Sequence, residues 1–93
     1  MKNKNIYIIE DEPTYCSFLE YQIDLLGNWH ISIYKPSDTI DDILNTKPDC
    51  ITLDLSIEQI NATELINKIH QQKLACIVLI ISGQDNISSA IDL

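Results

Sequence analysis

Four short runs of apolar and β-branched residues divide the chain, and turn-forming or charged residues bound each of them. The runs at 50–54 and 77–81 are almost wholly apolar, which is typical of strands that a parallel sheet buries on both faces. The run at 29–34 alternates apolar and polar side chains and therefore predicts a half-covered edge strand. The four predicted strands are residues 5–9, 29–34, 50–54 and 77–81.

Apolar residues recur at helical spacing between these strands. The first helix begins at Pro13 and ends before Gly27, because proline suits a first helical position and glycine suits the residue after the last. Asn61 is the predicted N-cap of the third helix. The predicted helices span residues 13–26, about 35–45, about 61–72, and from about 87 onward. The inward face of the first helix is predicted to carry Tyr15, Phe18, Leu19, Ile23 and Leu26.

This alternation of strands and helices predicts an α/β domain with a doubly wound parallel sheet. The 93 residues, of which 45% are hydrophobic, suit a single small domain over residues 1–93. The three cysteines, Cys16, Cys50 and Cys76, have no zinc-site or disulfide spacing. They indicate small core residues in a reducing compartment, and we expect the protein to be cytoplasmic.

The chain is acidic, with a formal net charge of −8 from 6 lysines and 14 aspartates and glutamates. Binding to a phosphate backbone needs clustered lysine or arginine, so we expect no nucleic-acid binding by this segment. No apolar run is long enough to cross a bilayer, and we expect no membrane association.

Polar residues follow three of the predicted strands, at the point where each strand ends: Glu10 with Asp11, Asp54, and Ser82 with Gly83. The carboxyl ends of parallel strands lie at one edge of a sheet, where ligands bind. Carboxylates held together repel one another and favour a divalent cation, Mg²⁺ first and Mn²⁺ as the alternative. The simpler interpretation of Asp54 is an aspartate that caps the following loop.

The chain resembles the receiver domain of two-component response regulators in three segments, in this order and spacing: residues 8–13 (IIEDEP), 53–55 (LDL) and 80–83 (IISG). The resemblance covers essentially the whole chain. It implies a flavodoxin-like sheet in the order 2-1-3-4. It also implies that the fifth strand and fifth helix of the family, with its phosphate-contacting lysine, lie beyond Leu93, so that the domain is incomplete at its C-terminus.

The resemblance implies a role for each candidate residue. Asp54 would accept a phosphoryl group from a sensor histidine kinase or a phosphotransfer protein. Glu10 and Asp11, with Asp54 and the backbone carbonyl of Ser56, would bind Mg²⁺. The residues that would contact the phosphoryl group and act in the switch are Ser56, Ser82 and Gly83. The domain would promote its own phosphorylation and dephosphorylation and is not expected to act as an enzyme on other substrates.

The loop after Asp54 departs from the family pattern, because Glu58 and Ala62 stand where receivers usually carry a proline and a glycine. We therefore expect a loop of different shape or mobility, and Glu58 and Glu64 could alter metal affinity. This departure keeps open a degenerate receiver that acts as a phosphorylation-independent interaction or dimerisation module. A metal-dependent phosphohydrolase of the haloacid-dehalogenase type is disfavoured, because Ser56 stands where its second aspartate would be.

The fourth strand also suggests a way for the chain to associate with itself. Without a fifth strand beside it, residues 77–81 would present an apolar edge with unpaired backbone groups, and such edges recruit other strands. We expect self-association through strand 4 and the last helix.

Overall fold

Four parallel strands form one sheet in the order β2-β1-β3-β4 in the computed structural model, which describes residues 4–81. Three helices connect successive strands. The elements are β1 (Lys4–Ile9), α1 (Pro13–Leu26), β2 (Trp29–Ile33), α2 (Ile40–Asn45), β3 (Cys50–Asp54), α3 (Ala62–Gln71) and β4 (Ile77–Ile81). The predicted flavodoxin-like order is confirmed. The helix predicted from residue 87 lies outside the described residues. No helix within 4–81 is long and apolar enough to span a bilayer.

The central strand β3 determines where the strand ends meet. It lies between β1 and β4, and all of its residues are buried. Parallel pairing places Ile9 of β1 opposite Leu53 and Ile81 of β4 opposite Asp54. The carboxyl ends of three strands therefore lie side by side at one edge of the sheet.

Helix starts follow from local capping. The Glu12 side chain accepts the N–H groups at the start of α1, and Asn61 accepts the N–H of Glu64 at 2.9 Å, which confirms Asn61 as an N-cap. The second helix begins at Ile40, later than the predicted start near residue 35. The reason is a capping box: the Thr39 hydroxyl accepts the N–H of Asp42 at 3.1 Å, and the Asp42 carboxylate accepts the N–H of Thr39 at 2.9 Å.

The main core lies on one face of the sheet, under α2 and α3. Apolar side chains of the two inner strands pack there against those helices and against two isoleucines of the loop after β3. Its members are Tyr7, Ile9, Tyr34, Ile40, Ile43, Leu44, Ile51, Leu53, Ile57, Ile60, Leu65 and Ile69. Cys16 and Cys50 are free and buried elsewhere in the molecule, as predicted for small core residues.

The predicted inward face of α1 is partly wrong. Phe18 and Leu26 are 54% and 72% exposed, whereas Cys16 is the buried residue of this helix. Cys16, Leu19 and Ile23 follow one another at spacings of three and four, so they form the covered stripe. Phe18 lies about 100° around the helix from Leu19 and points toward solvent.

The burial that the apolar run of the fourth strand predicts is wrong, whereas the open apolar edge expected at residues 77–81 agrees with the structure. Three of the five β4 side chains are exposed, Ile77 by 65%, Leu79 by 50% and Ile80 by 47%. Within residues 4–81, β4 pairs with β3 alone and forms one edge of the sheet. An apolar run predicts a strand well, but its burial depends on which neighbours cover it.

Candidate metal and acceptor site

Three carboxylates meet where β1 and β3 end. Glu10 and Asp11 follow the last residue of β1, and Asp54 is the last residue of β3. One oxygen from each carboxylate can be chosen so that the three lie within 4.8 Å of one another. This is the one group of three or more acidic, histidine or cysteine side chains with such spacing in residues 4–81. The structure thus brings together the three residues that the sequence placed at this edge.

Glu10 is buried deepest in this cluster and is held from two sides. Its Oε2 accepts the backbone N–H groups of Asp11 and Glu12, each at 3.1 Å. Its carboxyl group also contacts that of Asp54. Burial raises the pKa of Glu10, and the hydrogen bond and charge of Asp54 raise it further, while the two N–H groups oppose the shift in part.

Asp54 is 8% exposed and is held from the solvent side by Ser56. Its Oδ1 accepts both the backbone N–H of Ser56, at 3.0 Å, and the Ser56 hydroxyl, at 2.9 Å. Its backbone carbonyl accepts the N–H of Ile57 at 3.2 Å, which turns the chain away from the strand. The simpler interpretation of Asp54 as a loop cap is therefore partly correct, since the carboxylate stabilises this turn and belongs to the cluster as well.

The acids after β1 have different roles. The Glu12 carboxylate caps α1 by accepting the N–H of Thr14 at 3.1 Å and that of Tyr15 at 2.6 Å. Asp11 is exposed and lies at the open side of the cluster. Because Glu12 caps the helix, the Asp11 carboxylate is not required for that task.

The donor set suits a hard divalent cation. Three carboxylates supply oxygen ligands of the kind that Mg²⁺ prefers, and an exposed Asp11 leaves room for the waters that Mg²⁺ retains. Burial first, and the neighbouring Asp54 second, raise the pKa of Glu10, so a cation at this position would favour its ionised form. The residues present therefore fit Mg²⁺, and Mn²⁺ as the alternative.

The loop after Asp54 is anchored despite its unusual sequence. Ile57 and Ile60 are 2% and 6% exposed and belong to the core. Glu58 and Glu64 are exposed and do not join the carboxylate cluster. Ala62 begins α3. The buried side chains of Ile57 and Ile60 therefore anchor the loop to the core on both sides of Glu58.

Two candidate residues lie beyond the described part of the chain, and one contact at the site was not predicted. Ser82 and Gly83 lie outside the described residues, and their roles stay predictions. The sequence assigned a role to the backbone of Ser56 and none to its hydroxyl. The backbone N–H two residues after an aspartate commonly reaches its carboxylate, and a serine at that position brings its hydroxyl close to the same oxygen.

The chain matches the family model described as the response regulator receiver domain over residues 6–93. The alkaline phosphatase synthesis transcriptional regulatory protein PhoP of Bacillus subtilis (strain 168) is 26% identical over 83 residues, which cover 89% of this chain and 35% of PhoP. The chain thus spans about a third of the length of this curated relative.

Solved structures share the fold. The MaeR response regulator bound to beryllium trifluoride is similar with a TM-score of 0.65 and 23% identity, over 98% of this chain and 79% of the chain in that structure. A DNA-binding response regulator of the LuxR family from Staphylococcus aureus is similar with a TM-score of 0.69 and 19% identity, over 97% of this chain and 79% of that one.

Proposed function

This chain belongs to the response regulator receiver domain family, and we propose that it accepts a phosphoryl group on Asp54 in two-component signal transduction. The observation that supports this proposal is the position of Asp54, buried at the end of β3 beside Glu10 and Asp11. The phosphoryl donor would be a sensor histidine kinase or a phosphotransfer protein.

In the proposed reaction, an oxygen of the Asp54 carboxylate forms a bond to phosphorus as the bond between phosphorus and the donor breaks. The electron pair of the broken bond leaves with the donor, as the imidazole of a phosphohistidine or the carboxylate of an acyl phosphate. Burial of Asp54 excludes most of the water that would otherwise compete with it. The acceptor and its new phosphoryl group stay on the same chain, so we propose no separate substrate.

The cation site belongs to this proposal. Glu10, Asp11, Asp54 and the backbone carbonyl of Ser56 would hold Mg²⁺, with Mn²⁺ as the alternative. When bound, the cation supplies positive charge that offsets the repulsion between carboxylates and phosphoryl oxygens.

Backbone and side-chain donors would contact the phosphoryl group itself. We assign this role to the N–H of Ser56, the hydroxyl of Ser82 and the N–H of Gly83. In the structure the N–H of Ser56 donates to Asp54, so it already faces the acceptor. Electrostatic stabilisation by such donors is commonly a large share of the rate of group transfer.

The partners are proteins. The net charge of −8 disfavours contact of this segment with nucleic acid, and we propose a cytoplasmic location as for a soluble signalling domain. The relative PhoP is a transcriptional regulatory protein of which the match covers 35%, so any output function would depend on sequence outside the matched region.

Phosphoryl acceptance is tested by intact-mass measurement after incubation with acetyl phosphate and Mg²⁺. Wild type should gain the mass of one phosphoryl group, and Asp54→Asn should not. Asp41→Asn, at an exposed position of α2, is the matched control and should behave as wild type. Equal incorporation in Asp54→Asn, or none in wild type, would contradict the proposal.

A second proposal concerns association between copies of the chain. We propose self-association through β4, and through the last predicted helix, which lies outside the described residues. The specific observation in its favour is the apolar edge: Ile77, Leu79 and Ile80 are each about half exposed or more. Exposed apolar edge strands offer backbone N–H and C=O groups to another strand.

A further inference from the structure

A cavity of about 360 Å³ lies between the start of α1 and the end of β2, beside the carboxylate cluster. Three segments form its walls: the residues that follow β1, the N-terminal half of α1, and the end of β2 with the residues that follow it. Its volume is that of about twelve water molecules at liquid density, so it can hold a small molecule. Asp54 does not line this cavity, which is therefore distinct from the proposed phosphoryl acceptor.

Most of the cavity wall is apolar. The residues that make this part of the wall are Pro13, Cys16, Ile33, Tyr34 and Pro36. Cys16 and Tyr34 are buried, so their side chains are fixed parts of the wall. A ligand with an apolar body would cover this wall and release the water that otherwise contacts it, which favours binding.

The charged side chains that line the cavity are all acidic: Glu10, Asp11 and Glu20. Lys35 lies between two lining residues in sequence, but it is exposed and does not line the cavity. Burial raises the pKa of the Cys16 thiol, and the charges of Glu20 and Glu10 raise it further, so both carboxylates act on the base of the cavity. A negative potential beside an apolar wall favours a cation that carries hydrocarbon over a neutral or anionic ligand.

We propose that this cavity binds a small organic cation, an aliphatic amine or diamine. Its ammonium groups would lie against the carboxylates of Glu20 and Asp11, and its carbon chain would cover the apolar wall. Glu10 and Asp11 also belong to the carboxylate cluster that fits Mg²⁺. A bound amine and a bound Mg²⁺ therefore repel each other, and each lowers the affinity for the other by the same factor. The cavity would in this way make metal binding at the cluster sensitive to organic cations.

Titrations of the metal-free chain, followed by amide NMR spectra, test the proposal. The probe is putrescine, a four-carbon diamine, and the compounds of similar size for comparison are n-butylamine, with one charge, and n-butanol, with none. Putrescine should produce saturable shifts at the amides of Ser17, Glu20 and Ile33. Affinity should fall from the diamine to the monoamine, and the alcohol should not saturate. Added sodium chloride should weaken binding, because it screens the exposed carboxylates.

Variants at exposed positions locate the bound amine. Glu20→Gln removes a carboxylate of the cavity that lies outside the metal cluster, so putrescine affinity should fall by about threefold or more while Mg²⁺ affinity changes little. Glu58→Gln makes the same charge change outside the cavity and should leave both affinities unchanged. Ser17→Phe places a ring at the cavity wall without a change in charge and should also weaken putrescine binding. Thermal melts close to that of wild type would show that these variants are folded.

Several outcomes would overturn the proposal. Putrescine could fail to bind wild type, or could bind Glu20→Gln and wild type equally. A loss of affinity in Asp11→Asn with none in Glu20→Gln would show that the amine binds at the metal cluster instead of in the cavity. Saturating Mg²⁺ should weaken putrescine binding several-fold, and an unchanged affinity would contradict the coupling between the two sites. Phosphoryl acceptance at Asp54 is measured separately, so each of these failures would leave the proposed function intact.

Discussion

The phenolic hydroxyl of Tyr7, in β1, donates a hydrogen bond to the carboxylate of Asp38, which lies between β2 and α2. The same oxygen of Asp38 accepts the N–H of Lys35 at 2.9 Å. Burial raises the pKa of Tyr7, and the contact with Asp38 raises it further. The hydrogen bond from Tyr7, together with that from Lys35, lowers the pKa of Asp38. These contacts fasten the segment before α2 to the sheet.

Replacing Tyr7 with phenylalanine should therefore destabilise the protein. Tyr7 is 3% exposed, so Tyr7→Phe keeps the buried ring and removes one hydrogen bond to a charged group. We expect the free energy of unfolding to fall by about 1–2 kcal/mol in urea titrations at pH 7. Tyr21→Phe, at a residue that is 62% exposed, is the control and should change stability little. Equal stability of the two variants would contradict the role assigned to Tyr7.

The hydrogen bond between Tyr7 and Asp38 also predicts that the stability of the protein depends on pH. The pKa of Asp38 is lowered in the folded protein. The stabilisation that its ionised carboxylate contributes is therefore present above the unfolded pKa of about 3.9 and is lost as the pH falls through the folded pKa. The stability difference between wild type and Tyr7→Phe should accordingly shrink below about pH 4. Urea titrations at pH 7, 5 and 3.5 measure this difference. A difference that stays constant over that range would show that the Asp38 charge is not involved.

The contribution of Glu10 to stability should change with pH in the opposite direction. Its pKa is raised on folding, so the folded protein binds a proton that the unfolded chain has released, and stability falls as the pH rises from the unfolded pKa toward the folded one. Glu10→Gln can keep both N–H contacts without a charge. In metal-free buffer it should melt a few degrees above wild type at pH 7 and close to it at pH 4. A wild type that is the more stable protein at pH 7 without metal would contradict the prediction.

Mg²⁺ binding should depend on Asp11. Asp11→Asn removes the exposed carboxylate of the cluster, and we expect about tenfold or greater weakening of Mg²⁺ affinity by calorimetry. Glu20→Gln removes an acid of α1 outside the cluster and is the control. The fluorescence of Trp29 should stay constant, because this residue begins β2 at the other end of the sheet. Unchanged affinity in Asp11→Asn would contradict the site.

Self-association should depend on the exposed edge of β4. Sedimentation at micromolar concentrations should show dimers, and added salt should strengthen them by screening two chains of charge −8 from each other. Leu79→Lys lowers the net negative charge and therefore weakens the repulsion between two copies. A loss of dimer in this variant would therefore come from the lysine placed in the apolar edge of β4. Leu26→Lys makes the same charge change on α1, where the side chain is 72% exposed, and should not lower the dimer fraction. A wild type that remains monomeric at all concentrations would contradict the proposal.

The sequence by itself determined the order of elements and the position of the acids. Strand runs, a proline at the start of α1 and Gly27 at its end are local signals that need no knowledge of the neighbours. Since all connected strands are parallel, a residue at the end of β1 must lie near one at the end of β3. The alternation of strands and helices predicts that Glu10, Asp11 and Asp54 share one edge of the sheet, and the strand order implied by the family resemblance makes β1 and β3 neighbours.

The tertiary structure decided how each of those residues is held and which surfaces stay open. Glu12 caps α1, Glu10 reaches both Asp54 and two backbone N–H groups, and the Ser56 hydroxyl takes one oxygen of Asp54. The exposure of Leu79 was likewise not readable from an apolar run. Hydrogen-bond partners and burial depend on distances between segments that are remote in sequence. A periodic pattern indicates which residues could be buried, but it does not indicate which part of the molecule covers them.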